Sequence, residues 1–78
     1  MKGIKYVGEF VRKKRIESGG TLAQFGEKCG GFSASMVNRI EMGKSRSRKF
    51  FMEFTKLLNN REINDFHSLL IDYYFSED

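Results

Sequence analysis

The chain is divided by its own punctuation, and this limits its fold more than any other feature. Gly19-Gly20, Gly30-Gly31, Gly43 and Asn59-Asn60 leave only short segments between them. Within each segment the apolar residues recur at spacings of three and four, the period of a helix with one buried face. Val7, Phe10, Val11 and Lys14 predict a first helix over 6–18, closed by Gly19-Gly20. Thr21 is the N-cap candidate for a second helix over 22–29, with Leu22, Phe25 and Cys29 on one face. Small residues there, Ala23 and Gly26, let a neighbouring helix approach closely. Gly30-Gly31-Phe32 breaks the pattern, and Ser33 is positioned to cap a third helix carrying Met36, Val37 and Ile40, with Gly43 just past its end. Residues 44–48 read as a loop. Phe50, Phe54, Leu57 and Leu58 mark a fourth helix, ended by Asn59-Asn60, and Ile63, Phe66, Leu70 and Tyr73 mark a fifth. No segment alternates with period two, and no hairpin turn is flanked by strands. The expectation is an all-α, five-helix bundle in which helices two and three form a hairpin around a tight glycine turn.

With 78 residues the chain is read as one domain, 1–78. A domain of this size buries only about 60% of its unfolded surface, so association with a second copy is a natural source of stability. One cysteine, Cys29, provides no disulfide framework, which suits a reducing cytosol. No apolar run approaches the roughly 20 residues of a membrane span, and Met1 to Lys5 leads into no signal-peptide core. The expectation is a cytoplasmic protein that engages no membrane. The net charge of +4 hides an asymmetry: residues 1–49 hold twelve Lys/Arg against four Asp/Glu, giving +8, and residues 50–78 hold two against six, giving −4. A basic first part with an acidic end suggests a polyanion-binding surface with the tail turned away from it. Taken alone, Arg12-Lys13-Lys14-Arg15 is as readily a solvated face; the sign change across the whole chain is harder to dismiss.

Five features, in order, carry a resemblance. They are Val7-Gly8 with Val11; Arg15; Thr21 followed by Phe25-Gly26; the run Ser33-Ala34-Ser35-Met36-Val37-Asn38-Arg39-Ile40-Glu41-Met42-Gly43-Lys44; and the basic stretch from Arg46 to Phe50. Over residues 7–58, about two thirds of its length, the chain resembles the phage repressor/Cro class of helix-turn-helix regulators, the XRE family. The resemblance implies a lambda-repressor-like fold whose helices two and three are a helix-turn-helix. It implies a sequence-specific double-stranded DNA-binding transcriptional regulator of the repressor class, working as a homodimer on a near-palindromic operator. It also implies that Arg15 and Glu41 pair beneath the domain; read alone, they are two separate surface charges. In this geometry the third helix enters the major groove. Ala34, Ser35 and Arg39 then map to base-contacting positions, with Asn38 close by. Arg39 can pair bidentately with guanine, whereas Ala34 offers only a methyl contact; the alternative for Arg39 is a solvated helix arginine paired with a carboxylate. Lys44, Arg46, Ser47, Arg48 and Lys49, together with Thr21, are the expected phosphate contacts, located in a loop and at helix N-termini. The chain departs from the family at Leu22 (often a phosphate-contacting glutamine), at Gly26 (usually alanine), at the extra residue in Gly30-Gly31 and in lacking a proline before helix four.

The remaining reactive residues read plainly. His67 is the only histidine and has no metal-ligating neighbour in sequence, so no metal is expected, and Cys29 reads as a packing residue. Phe50, Phe51, Phe54, Tyr73, Tyr74 and Phe75 offer more aromatic surface than one small core needs. They suit either a core with a dimer interface or a platform for stacking single-stranded bases. The dimer interface is expected in 61–78, from Phe66, Leu69, Leu70, Tyr73, Tyr74 and Phe75. No catalytic pair or cofactor motif is visible, so neither an enzyme nor a cofactor is expected. The alternative function is a protein-interaction module of the same fold, an antitoxin or coactivator, whose acidic aromatic tail holds a partner protein.

Overall fold

A computed structural model describes residues 3–75, with side chains for 6–74. These residues form five helices and no strand: α1 (Gly3–Ser18), α2 (Leu22–Lys28), α3 (Ala34–Glu41), α4 (Arg48–Thr55) and α5 (Asn60–Phe75). The helix starts follow local chemistry. Ser33 and Ser47 accept from the backbone N–H three residues on, at 3.1 Å each, and Thr21 does the same for Gln24 while Gln24 accepts from the Thr21 N–H. Asn59 and Glu62 form the matching reciprocal box at the start of α5. Asn59-Asn60 therefore opens the fifth helix; α4 has already ended at Thr55, and Lys56 to Leu58 form a turn. Helix α1 starts at Gly3, earlier than the apolar pattern indicates, and Cys29 is the C-cap of α2.

The turn between α2 and α3 is longer than a tight glycine turn. Gly30 and Gly31 both have positive φ, 107° and 89°, a region that side chains avoid. Gly30 N–H donates to the Glu27 carbonyl, and Gly31 and Phe32 N–H both donate to the Gly26 carbonyl, so the last turn of α2 closes as a Schellman motif and runs on. The extra glycine thus swings the chain back over α2. Phe32 lands against Phe50 with ring centroids 5.2 Å apart, and its carbonyl rests on Gly26, where a Cβ would meet it at 2.0 Å. Gly26 permits this crossing; Ala23, expected to share that task, is exposed.

All five helices contribute to one apolar core. Val7, Val11, Phe25, Cys29, Val37 and Ile40 belong to it, together with the rings of Phe50, Phe51, Phe54 and Phe66. Phe54 lies 4.9 Å from Phe66 and 5.8 Å from Phe25, both edge-on, an arrangement favoured beyond simple area burial. Helix α1 packs against both α3 and α5. Its contact with α3 is close because Gly8 has no side chain: a Cβ there would meet the Glu41 and Ile40 carbonyls at 2.5 and 2.6 Å. Leu57, read as a core position, is exposed on the turn after α4, whereas Leu58 is buried. No helix among the described residues is long and apolar enough to cross a membrane.

Candidate nucleic-acid interface

Helix α3 has a held face and a presented face. Val37 and Ile40 are buried in the core, and Glu41 is buried beside them. A buried carboxylate requires a partner, and Arg15 of α1 supplies one. Its Nε donates to Glu41 Oε2 at 2.6 Å and its Nη2 to Oε1 at 3.1 Å, a two-pronged contact, while Nη1 reaches the Gly20 carbonyl at 3.3 Å. The hydrogen bond that Arg15 donates to Glu41 raises the Arg15 pKa further. The pair fixes the end of α3 to the end of α1.

The presented face carries Ser35, Asn38, Arg39 and Met42, all exposed and spaced i, i+3, i+4, i+7, so they form one stripe. Ala34 is half-buried at the first turn. Met42 is absent from the contact residues expected from sequence, although its spacing from Ser35 marks it. Among the described residues Arg39 has no carboxylate partner; its Nε donates to Ser45 Oγ at 3.1 Å, and neither terminal nitrogen is hydrogen-bonded to them. Ser45 is absent from that set too, lying among charged neighbours with no local signal. It reaches Arg39 because α3 ends in a Schellman motif: Gly43 N–H donates to the Ile40 carbonyl and Lys44 N–H to the Arg39 carbonyl. That motif folds the chain back toward the presented face.

The expected phosphate contacts lie along the loop after α3 and the first turn of α4. Lys44, Arg46, Arg48 and Lys49 are exposed, and Ser47 caps α4. Arg48 and Lys49 occupy the first turn of α4, the positive end of the helix dipole, where a cation is disfavoured unless an anion sits there. None of α2, α3 or α4 has an acidic residue in its first turn, whereas α5 has Glu62. Among the described residues, Arg39, Lys44, Arg46, Arg48 and Lys49 make no ion pair. Arg46 is held differently: its Nη1 donates to the Tyr73 hydroxyl at 2.6 Å, and its guanidinium lies 5.7 Å from the Tyr73 ring centre. The hydroxyl of Thr21 already accepts from Gln24 N–H and can offer an anion only its own proton.

The outer surface of α4 and α5 differs. Arg48, Met52 and Thr55 on α4 face His67, Leu70 and Tyr74 on α5 across a groove of about 490 Å³ floored by Phe51. Met52 is 63% exposed, Ile71 57% and Tyr74 52%. This changes the expected dimer interface. Phe66 is completely buried in its own core, because Phe10 of α1 and Phe51 and Phe54 of α4 surround its ring, so it has no free surface to offer. Leu69, Leu70 and Tyr73 are partly buried against the core, Tyr74 is exposed, and the Phe75 side chain lies outside the described residues. The exposed residues beside the groove on α5 are His67, Ile71 and Tyr74, with Leu70 half-buried between them. With the other aromatics packed together, no stacking platform for single-stranded bases forms among the described residues.

Cys29 is fully buried, and burial pushes its thiol up to about 11, so it packs and does not react. Among the described residues no three His, Cys, Asp or Glu side chains cluster as metal ligands would. Compared with protein-family models, curated proteins and solved structures, the chain gives no match in any of the three.

Proposed function

We propose that this chain is a sequence-specific double-stranded DNA-binding transcriptional regulator of the lambda-repressor-like type, acting as a homodimer on a near-palindromic operator. In this reading α2 and α3 are the helix-turn-helix, and α3 enters the major groove. The observation that carries it is the pairing of a presented stripe free of carboxylates on α3 with cations on the adjoining loop and helix start that make no ion pair among the described residues. Arg39, steadied through Nε, directs its two terminal nitrogens at a base edge, the fork that fits guanine O6 and N7. Ser35 and Asn38 read neighbouring edges, and Met42 adds an apolar contact. Lys44, Arg46, Arg48 and Lys49 neutralise phosphates and set the register.

The dimensions support two copies. One chain is 33 Å in its longest extent and has one such stripe, whereas successive half-sites lie about 34–36 Å apart. A single stripe covers too few base pairs for selectivity among genomic competitors. The groove between α4 and α5, with Met52, Ile71 and Tyr74 exposed, is the apolar surface that a second copy would cover.

The test is binding to duplex DNA from around the protein's own gene across a salt series. The expected result is affinity that falls steeply with salt, and a slope flattened by about two counterions when Arg46 and Lys49 are both made neutral. Equal slopes for the wild type and the double variant would remove the loop from the interface. The second reading, an antitoxin- or coactivator-like module of the same fold, uses the same groove for a different protein. It predicts salt-independent, negligible DNA binding and a chain that stays monomeric until that partner is added.

A further inference from the structure

The Arg46–Tyr73 contact joins two regions that the proposed function treats separately. Arg46 belongs to the loop after α3, and Tyr73 to the last turns of α5. The Tyr73 ring packs on Tyr74 with centroids 4.8 Å apart, and Tyr74 lines the α4–α5 groove together with Arg48. Tyr73 also closes a small recess whose other walls are Gly43, Lys44, Ser45 and Arg46. A short path of contacts thus runs from the groove to the loop beyond the presented stripe.

We propose that Tyr73 is a positioning residue for Arg46, holding its guanidinium ready for a DNA phosphate and making the grip of the loop depend on the outer face of α5. This rests on the DNA-binding reading above. The hydroxyl occupies one terminal nitrogen of Arg46 and leaves the other, with Nε, for a phosphate oxygen. A long exposed arginine otherwise loses its rotamer freedom on binding; one already held against a ring and a hydroxyl loses less. The contact also ties the end of α5 to the loop, so a second copy that steadies Tyr74 would steady Arg46 through Tyr73.

The experiment is a double-mutant cycle on DNA binding, read by fluorescence anisotropy on an operator duplex and on a random duplex. Tyr73→Phe removes the hydroxyl and keeps the ring, so the packing on Tyr74 and the core is retained; a thermal melt checks that the fold is unchanged. The expected result is affinity about three- to ten-fold weaker on both duplexes, with a larger loss for Tyr73→Leu. In an Arg46→Ala background, Tyr73→Phe should have no further effect. Unchanged binding by Tyr73→Phe, tighter binding, or an equal loss without Arg46 would each overturn the positioning role while leaving the DNA-binding reading intact. Failure of the wild-type chain to bind either duplex would overturn both.

Discussion

Helices α3 and α5 each present one stripe to solvent, but the stripes differ in chemistry and in how they are supported. The α3 stripe is mostly polar, ending in Arg39 and Met42, and behind it lie Val37, Ile40 and the buried Glu41 gripped by Arg15. Both ends of α3 are fixed as well, by Ser33 at the start and the Gly43 motif at the finish. The α5 stripe is largely apolar, in Leu70, Ile71 and Tyr74, and flanks an open groove. A polar stripe gains little from leaving water, so its position depends on the residues that hold it from behind. An apolar one can rely on its partner to cover it.

The comparison breaks most sharply at the ion pair. Glu41→Ala strands the Arg15 guanidinium and should cost about 3–5 kcal/mol, seen as a large fall in the urea midpoint. A loss below about 1 kcal/mol would mean that α3 does not depend on this support. Gly26→Ala comes next. Its methyl collides with the Phe32 backbone and should cost about 1–3 kcal/mol, despite the gain in helix propensity. Arg39→Ala should leave the melting temperature nearly unchanged but lose about 1–3 kcal/mol on the operator, relaxing choice at one base pair per half-site. An equal loss on random DNA would make Arg39 a phosphate contact. On the other face, Ile71→Asp should shift the stability of a single copy, measured at high dilution, by no more than about 0.5 kcal/mol, since the side chain is exposed there. Sedimentation equilibrium should nonetheless show the proposed dimer dissociating; a dimer that persists would place the interface elsewhere.

The smallest effect concerns acid. The backbone N–H of Asn59 is the first cause that lowers the Glu62 pKa, and Lys14, 3.1 Å away, is the second. Because the folded value is depressed, the stabilisation is present above the ordinary glutamate value of about 4.3 and disappears as pH falls through the lowered one. Glu62→Gln should therefore melt lower than wild type near neutral pH, and the gap should close in strong acid. A gap independent of pH would assign the loss to packing.

What could be read from the sequence was local. Thr21, Ser33 and Gly43 announce helix ends because a cap needs only three or four neighbouring residues, and the resemblance led to the Arg15–Glu41 pair across 26 positions. Asn59 followed three residues later by Glu62 carries the same capping signal as Thr21 with Gln24, but the apolar run up to Leu58 makes Asn59-Asn60 look equally like a helix end. Other errors have a different origin. Phe66 looked free because periodicity shows that a helix has an apolar face without showing which neighbour covers it. Arg46 and Tyr73 are 27 residues apart, and no spacing rule connects a loop to the far end of another helix. Ser45 gave no signal because its role depends on how the chain reverses at Gly43.

The division of labour on α3 has an evolutionary side. Val37, Ile40 and Glu41 fasten the helix and Ser35, Asn38, Arg39 and Met42 face outward, with only Ala34 and Met36 half-buried between the two sets. Substitutions in the second group can accumulate without destabilising the first, so the outward residues can be exchanged as a set while the scaffold is inherited intact. A lineage built on this chain could change the chemistry of its outward face far faster than it changes its shape.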